Sequence, residues 1–203
     1  PSKWGQEVLA KQDRKADYVP CGIDLDLFNI SPEGRIRWRK QLQPAITDDT
    51  FLIGMVGLNS GMPDRKGYGF AFDALKQFFA RHPDARAYIH TNPQGDNAAL
   101  NLEELRDELE LRDRIYFSRP SHPLGEVPLY MRDMYNAFDV MLHASGTEGF
   151  GLPIIEAQAC GTPIVANSAT AVTELLGAEC IPVQPLADMI VNNSSRIALP
   201  SVA

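Results

Sequence analysis

The sequence is short of basic residues, of paired cysteines and of long apolar runs, and each shortage removes a class of protein. Lys and Arg number 19 against 26 Asp and Glu, a net charge of −7. A protein that grips duplex nucleic acid needs a basic face to displace counterions, and this composition argues against one. A small anionic ligand stays open, because a local pair of cations can hold a phosphate inside an acidic protein. The three cysteines (Cys21, Cys160, Cys180) lie far apart with no Cys-x-x-Cys spacing. That points to a reduced chain rather than to a disulfide or zinc framework. No segment approaches the roughly 18 consecutive apolar residues of a membrane span, and no basic-then-apolar signal segment opens the chain. The expected location is therefore the cytoplasm, and the Asn-x-Ser triplets at Asn192 and Asn193 are read as unmodified. The four histidines (His82, His90, His122, His143) show no metal-ligand spacing.

What is present is the pattern of a layered α/β domain. Hydrophobic residues make up 44% and charged residues 22%, enough for a core without staples. Residues Pro1 to Ala10 read as a short helix capped by Ser2, Tyr18 to Asp24 as a strand end and turn, and the basic run Arg35 to Lys40 as helical. From residue 51 the alternation becomes regular. Phe51 to Val56 is a continuous apolar run, as expected of a strand covered on both faces. Helical spacing follows over 68–81, then a strand over 86–90, a helix capped by Asn101, and a strand over 114–117. A helix over 128–137, a strand over 139–144, a helix over 152–160 and a strand over 163–166 come next. A short helix over 172–176 and a strand over 180–183 complete the series, before a tail of weak periodicity after Pro185. Strands alternating with helices predict a doubly wound, Rossmann-like parallel sheet with helices on both faces. In such sheets ligands sit beyond the carboxyl ends of the strands.

The richest segment lies there: Ser145-Gly146-Thr147-Glu148-Gly149-Phe150-Gly151-Leu152-Pro153-Ile154-Ile155-Glu156. Gly149 and Gly151 permit close backbone approach to a ligand, and Pro153 suits the first turn of a helix. Free N–H groups at the positive end of that helix favour a phosphate. Glu156 falls at the edge of the helix's apolar stripe, where a carboxylate needs a partner to offset desolvation; ribose hydroxyls would supply one. His90 and His143 end strands on the ligand side, and each either lines the pocket or is a satisfied core histidine. Asp24-Leu25-Asp26 imitates a metal-binding Asp-x-Asp but lies outside the ligand end of the sheet. An NAD-dependent oxidoreductase shares this sheet. It fits poorly, because Gly57-Leu58-Asn59-Ser60-Gly61 is not Gly-x-Gly-x-x-Gly, and His90-Thr91-Asn92 lacks the acidic ribose contact.

Glu148 and Glu156, seven residues between them around Gly-Phe-Gly-Leu-Pro, resemble the E-x7-E motif of the retaining family 4 glycosyltransferases of GT-B fold. The runs Cys160 to Ala166, Glu174 to Gly177 and Val19 to Asp24 are similar to the same family, so the resemblance covers residues 1 to about 185. It implies that the chain is one half of a GT-B fold and binds a nucleoside diphosphate sugar, with no metal and no other cofactor. In the whole enzyme a hexosyl group would pass to an acceptor hydroxyl. The resemblance also implies roles. Glu156 would take the ribose hydroxyls, Glu148 the donor sugar, and the amides of Phe150, Gly151 and Leu152, in the loop with Gly149, the diphosphate. An Arg and a Lys after the first strand would hold the leaving phosphate. Leu58 stands where the family's Arg is common, and the basic pair is displaced to Arg65-Lys66. Ser118-Arg119-Pro120 falls where the family seats the base. On this reading residues 1–20 are the remnant of a preceding domain and linker, 21–185 the donor-binding domain, and 186–203 a truncated tail. An acceptor domain is expected before Pro1, membrane contact if any would go through it, and the chain alone is expected to complete no transfer. A non-catalytic module that binds a nucleotide sugar is the alternative.

Overall fold

A computed structural model describes residues 1–42, 46–60, 63–96, 99–118, 127–190 and 196–201. Among the described residues, six helices occupy Lys3–Ala10 (α1), Pro32–Lys40 (α2), Tyr68–Arg81 (α3), Leu102–Glu108 (α4), Pro128–Ala137 (α5) and Leu152–Ala159 (α6). Eight strands among the same residues occupy Leu52–Val56 (β1), Arg86–His90 (β2), Ile115–Phe117 (β3), Val140–His143 (β4), Ile164–Asn167 (β5), Ile181–Val183 (β6), Ala187–Ile190 (β7) and Arg196–Leu199 (β8). β1 to β6 form one parallel sheet in the order β3-β2-β1-β4-β5-β6. That is the doubly wound order with its reversal between β1 and β4, the place where such sheets open a crevice.

The alternation of side chains along each strand divides the core in two. Leu52, Val56, Tyr88, Met141, Ile164 and Ala166 face α2, α5 and α6. Ile53, Met55, Ala87, Ile89 and Leu142 face α3 and α4. Both faces are covered, which is why β1 reads as an unbroken apolar run. Ser31 caps α2 through Gly34, with Pro32 in its first turn. The basic run of α2 serves the fold. Arg39 is fully buried and gives hydrogen bonds to the carbonyls of Ala137, Thr47, Asp48 and Thr50. Arg35 and Arg39 also grip Asp139, whose other contact is the amide of Leu52 at 2.7 Å. Cations thus meet the carbonyl end of α5 and fix the start of β1 beside that of β4.

Two expectations need correction. No strand forms at Tyr18 to Asp24; Val19 is 72% exposed, with no sheet edge to join, and Asp24 instead accepts the amides of Asp26 and Leu27 to cap a turn. The short helix near 172–176 is a 3₁₀ turn over Thr170–Glu174. In the tail of weak periodicity, β7 and β8 pair antiparallel, and the Ala198 amide donates to the Gly146 carbonyl at 3.0 Å. The segments of the sequence reading that include Gly61, Arg119, Pro120, His122, Asn192 and Asn193 lie outside the described residues. No helix among the described residues is long and apolar enough to cross a membrane.

Candidate functional site

The crevice at the sheet reversal is built from the exits of β1 and β4. Gly67 turns the chain into α3 with φ +71, and a Cβ there would stand 2.3 Å from the Ala144 carbonyl oxygen. Only glycine fits both the left-handed conformation and the close approach. The contact brings the residue before it, Lys66, to the loop after β4. The Lys66 Nζ reaches Glu148 Oε1 at 2.5 Å, with the two side chains only 14% and 11% exposed. His143, 3% exposed at the end of β4, places Nε2 3.4 Å from the same oxygen. Burial alone would raise the Glu148 carboxyl; His143 and Lys66 outweigh it and hold the group down at about 2. The imidazole therefore stands beside the Glu148 carboxylate. Tyr68 braces the other wall with a 2.6 Å hydrogen bond from its hydroxyl to the Gly57 carbonyl.

Arg65 is positioned differently from Lys66. Its carbonyl accepts from the Ser145 hydroxyl at 3.1 Å and the Gly146 amide at 2.8 Å, so its backbone holds the glycine-rich loop. Its half-buried guanidinium forms no ion pair among the described residues. The N-terminus of α3 carries this Arg-Lys pair on its approach, where Asp64 accepts the amide of Gly69 at 2.8 Å. That carboxylate offsets the poor match between cations and the positive end of a helix dipole.

The loop into α6 is open where the sequence suggested it would be. A Cβ at Gly149 would meet nothing within 4 Å, while Gly151 adopts φ +111 as the residue preceding the helix. Among the described residues, the amides of Phe150 and Gly151 meet no acceptor. Phe150 itself is 8% exposed and anchors the loop, and Leu152 is 42% exposed at the rim. Glu156, on the second turn of α6, accepts a hydrogen bond from the buried Tyr135 hydroxyl at 2.7 Å. Burial raises the Glu156 carboxyl above its ordinary value in spite of that bond. Tyr135 is the partner that the sequence reading missed; it sits on α5, 21 residues earlier, and no spacing rule links the two.

The neighbouring exits of β1, β2 and β3 are pinned together. Asn59 gives its amide to Thr91 Oγ1 at 3.0 Å and its side chain to the carbonyls of Asn92 and Leu100. Ser118 closes the row by donating to the Thr91 carbonyl at 2.9 Å and accepting the Thr91 amide at 3.1 Å. His90 packs near Tyr130, with 6.3 Å between ring centroids. Among the described residues, no group of three or more His, Cys, Asp or Glu side chains could hold a metal ion.

A parallel sheet of this order, with Lys66 held beside the loop that opens α6, defines a doubly wound α/β domain. Residues 50–196 match the family described as glycosyl transferases, group 1, and the chain belongs to that family. The resemblance to family 4 enzymes of GT-B fold is borne out. The D-inositol 3-phosphate glycosyltransferase of Mycobacterium sp. (strain JLS) is 33% identical over 154 residues, 75% of this chain and 31% of that protein. Among solved structures, Anabaena HepE in complex with UDP and glucose is similar with a TM-score of 0.70 and 26% identity, over 91% of this chain and 48% of that one. The C-terminal domain of a group 1 glycosyl transferase from Francisella tularensis shares the fold, with a TM-score of 0.60 at 23% identity over 82% of each chain. The chain spans about a third of the length of the curated relatives it matches.

Proposed function

We propose that this chain is the donor-binding half of a retaining hexosyltransferase, which holds a nucleoside diphosphate sugar for attack by an acceptor hydroxyl. The observation that carries the reading is the Lys66–Glu148 ion pair at 2.5 Å, set against the open start of α6. A cation suited to a leaving phosphate and a carboxylate suited to sugar hydroxyls share one point, beside the Phe150 and Gly151 amides, which meet no acceptor among the described residues. Glu148, ionised by its surroundings, accepts hydrogen bonds from the sugar; Glu156 turns from Tyr135 to the ribose hydroxyls. Lys66 and Arg65 face the diphosphate, and the amides of Phe150, Gly151 and Leu152, in the loop with Gly149, complete its cradle. In the transfer step the bond from the anomeric carbon to the β-phosphate oxygen breaks, and the acceptor oxygen bonds to that carbon on the same face. The acceptor proton passes to the departing phosphate, so neither a metal nor another cofactor is required. The acceptor groups belong to a second domain, and this chain alone binds donor without steady transfer. UDP is the first nucleotide to test, since the 26% identical Anabaena structure contains it.

Thermal unfolding with UDP, GDP, ADP, their glucose conjugates and NAD tests the reading. A ligand at about 100 times its Kd stabilises by about 2.7 kcal/mol. One nucleoside diphosphate should raise the Tm while NAD does not. Glu156→Ala should weaken that nucleotide by ~1–3 kcal/mol, the scale of a hydrogen bond to a charged group. Glu148→Ala should spare the bare nucleotide and weaken its sugar conjugate. Equal losses for both ligands would refute the division of labour, and no shift with any nucleotide would refute the donor site.

A further inference from the structure

We propose that Thr170 is a positioning residue that sets the main chain of Glu148, and that its unfavourable backbone conformation serves this purpose. Thr170 has φ +53, in the left-handed region that a β-branched residue adopts only under constraint. Glycine would occupy that position without penalty, so the fold gains something from the threonine side chain. Its Oγ1 accepts the backbone amide of Glu148 at 3.0 Å, across 22 residues of chain. The bond fixes the orientation of the peptide that carries the site carboxylate, four residues after Ala144, whose carbonyl packs on Gly67.

A second tie keeps the two loops in register. Asn167, buried at the end of β5, donates its side-chain amide to the Ser145 carbonyl at 3.2 Å and to the Ala198 carbonyl at 3.1 Å. The loop after β5 thus grips the loop after β4 at both ends, through Asn167 at Ser145 and through Thr170 at Glu148. The 3₁₀ turn makes the grip stiff. The Thr173 hydroxyl donates to the Thr170 carbonyl at 3.0 Å, and the Val172 amide to the Ala169 carbonyl at 3.1 Å. With its amide held, Glu148 presents Oε1 to Lys66 and His143 in a single geometry. Thr170 touches neither a substrate nor a reacting atom. It acts through Glu148 and so bears on the sugar rather than on the nucleotide, an inference that rests on the donor-site reading above.

Three variants separate this role from plain structural support. Thr170→Ser keeps the acceptor oxygen, Thr170→Val keeps the shape and removes it, and Thr170→Gly removes it while relieving the backbone. Affinities for UDP and UDP-glucose are measured for each, with the Tm and the hydrogen-exchange rate of the Glu148 amide in the free protein. Thr170→Ser should match the parent in the ratio of the two affinities. Thr170→Val and Thr170→Gly should hold UDP within about twofold and lose about tenfold for UDP-glucose, the effect of roughly one hydrogen bond. Their Glu148 amide should exchange about tenfold faster or more, and Thr170→Gly should melt no lower than the parent. A parent-like affinity ratio and parent-like exchange in Thr170→Gly would overturn the proposal even if Thr170→Val fails to fold. If the parent binds no nucleotide at all, the donor-site reading falls, and the exchange comparison decides the Thr170 role by itself.

Discussion

Glu148 and Glu156 belong to one short motif and experience opposite surroundings. Glu148 has a cation and an imidazole on one oxygen and is held at about 2; Glu156 has a phenol and is raised by burial. The stability that ionised Glu148 contributes is therefore fully present above its ordinary value of 4.5 and is lost as pH falls towards 2. Glu156 binds its proton more tightly in the folded state, so its contribution is present at low pH and is lost as pH rises through its raised value. Urea unfolding of the parent, Glu148→Gln and Glu156→Gln between about pH 6 and pH 3 should show this. The advantage of the parent over Glu148→Gln should shrink with acidity, while the balance against Glu156→Gln should move in the parent's favour. Constant gaps in both series would mean that neither carboxylate is perturbed. At this scale the sequence exposed the two glutamates because their spacing around the glycines is rare. It did not expose Tyr135 or Thr170, whose partners lie 21 and 22 residues away and meet only through packing. Arg65 was legible as a cation, while the work of its carbonyl in holding Ser145 and Gly146 was not.

Elements matter here chiefly through how closely they approach. Gly67 lets the start of α3 touch the exit of β4, and that contact carries Lys66 to Glu148. Gly67→Ala combines a left-handed backbone with a Cβ at 2.3 Å from the carbonyl oxygen of Ala144, directly after the central strand β4. The substitution should cost about 2 kcal/mol or more, read by urea unfolding, and should weaken nucleotide binding beyond what the lost stability explains. Unchanged binding at reduced stability would separate the contact from the site. The central strand β1 was readable because burial on both faces leaves the run Leu52 to Val56 wholly apolar, and the alternation of strands with helices exposed the rest of the sheet. The β7–β8 pair was not, because four-residue strands with one charged residue each give too little alternation to stand out from a loop. Its register is set from outside, by Gly146 and Asn167. The 3₁₀ turn has a second duty that no periodicity could signal. Glu174 at its end accepts the amides of Lys3 at 2.8 Å and Trp4 at 2.6 Å, so α1 is capped by the same turn whose first residue holds Glu148.

Across the whole molecule, the strand order matters more than any single contact. β1 and β4 lie side by side in the sheet, though β2 and β3 come between them in the chain. Lys66 and Glu148 are consequently 82 residues apart along the chain and bonded in space. The doubly wound order was expected from the alternation of elements, whereas the position of the reversal rests on which strands pair, which local pattern does not encode. Refolding from urea, followed by far-UV circular dichroism and by binding of whichever nucleotide thermal unfolding selects, should show ellipticity recovering ahead of binding. Simultaneous recovery in a single phase would mean that the crevice forms with the first helices. The delay follows from chain entropy, because a loop of this length must close before its contacts repay it. Pairing of the two central strands completes the crevice, so half-formed chains offer a ligand nothing to hold. On the proposed function, a bound nucleotide would select for finished molecules and slow their unfolding rather than guide the early steps of folding.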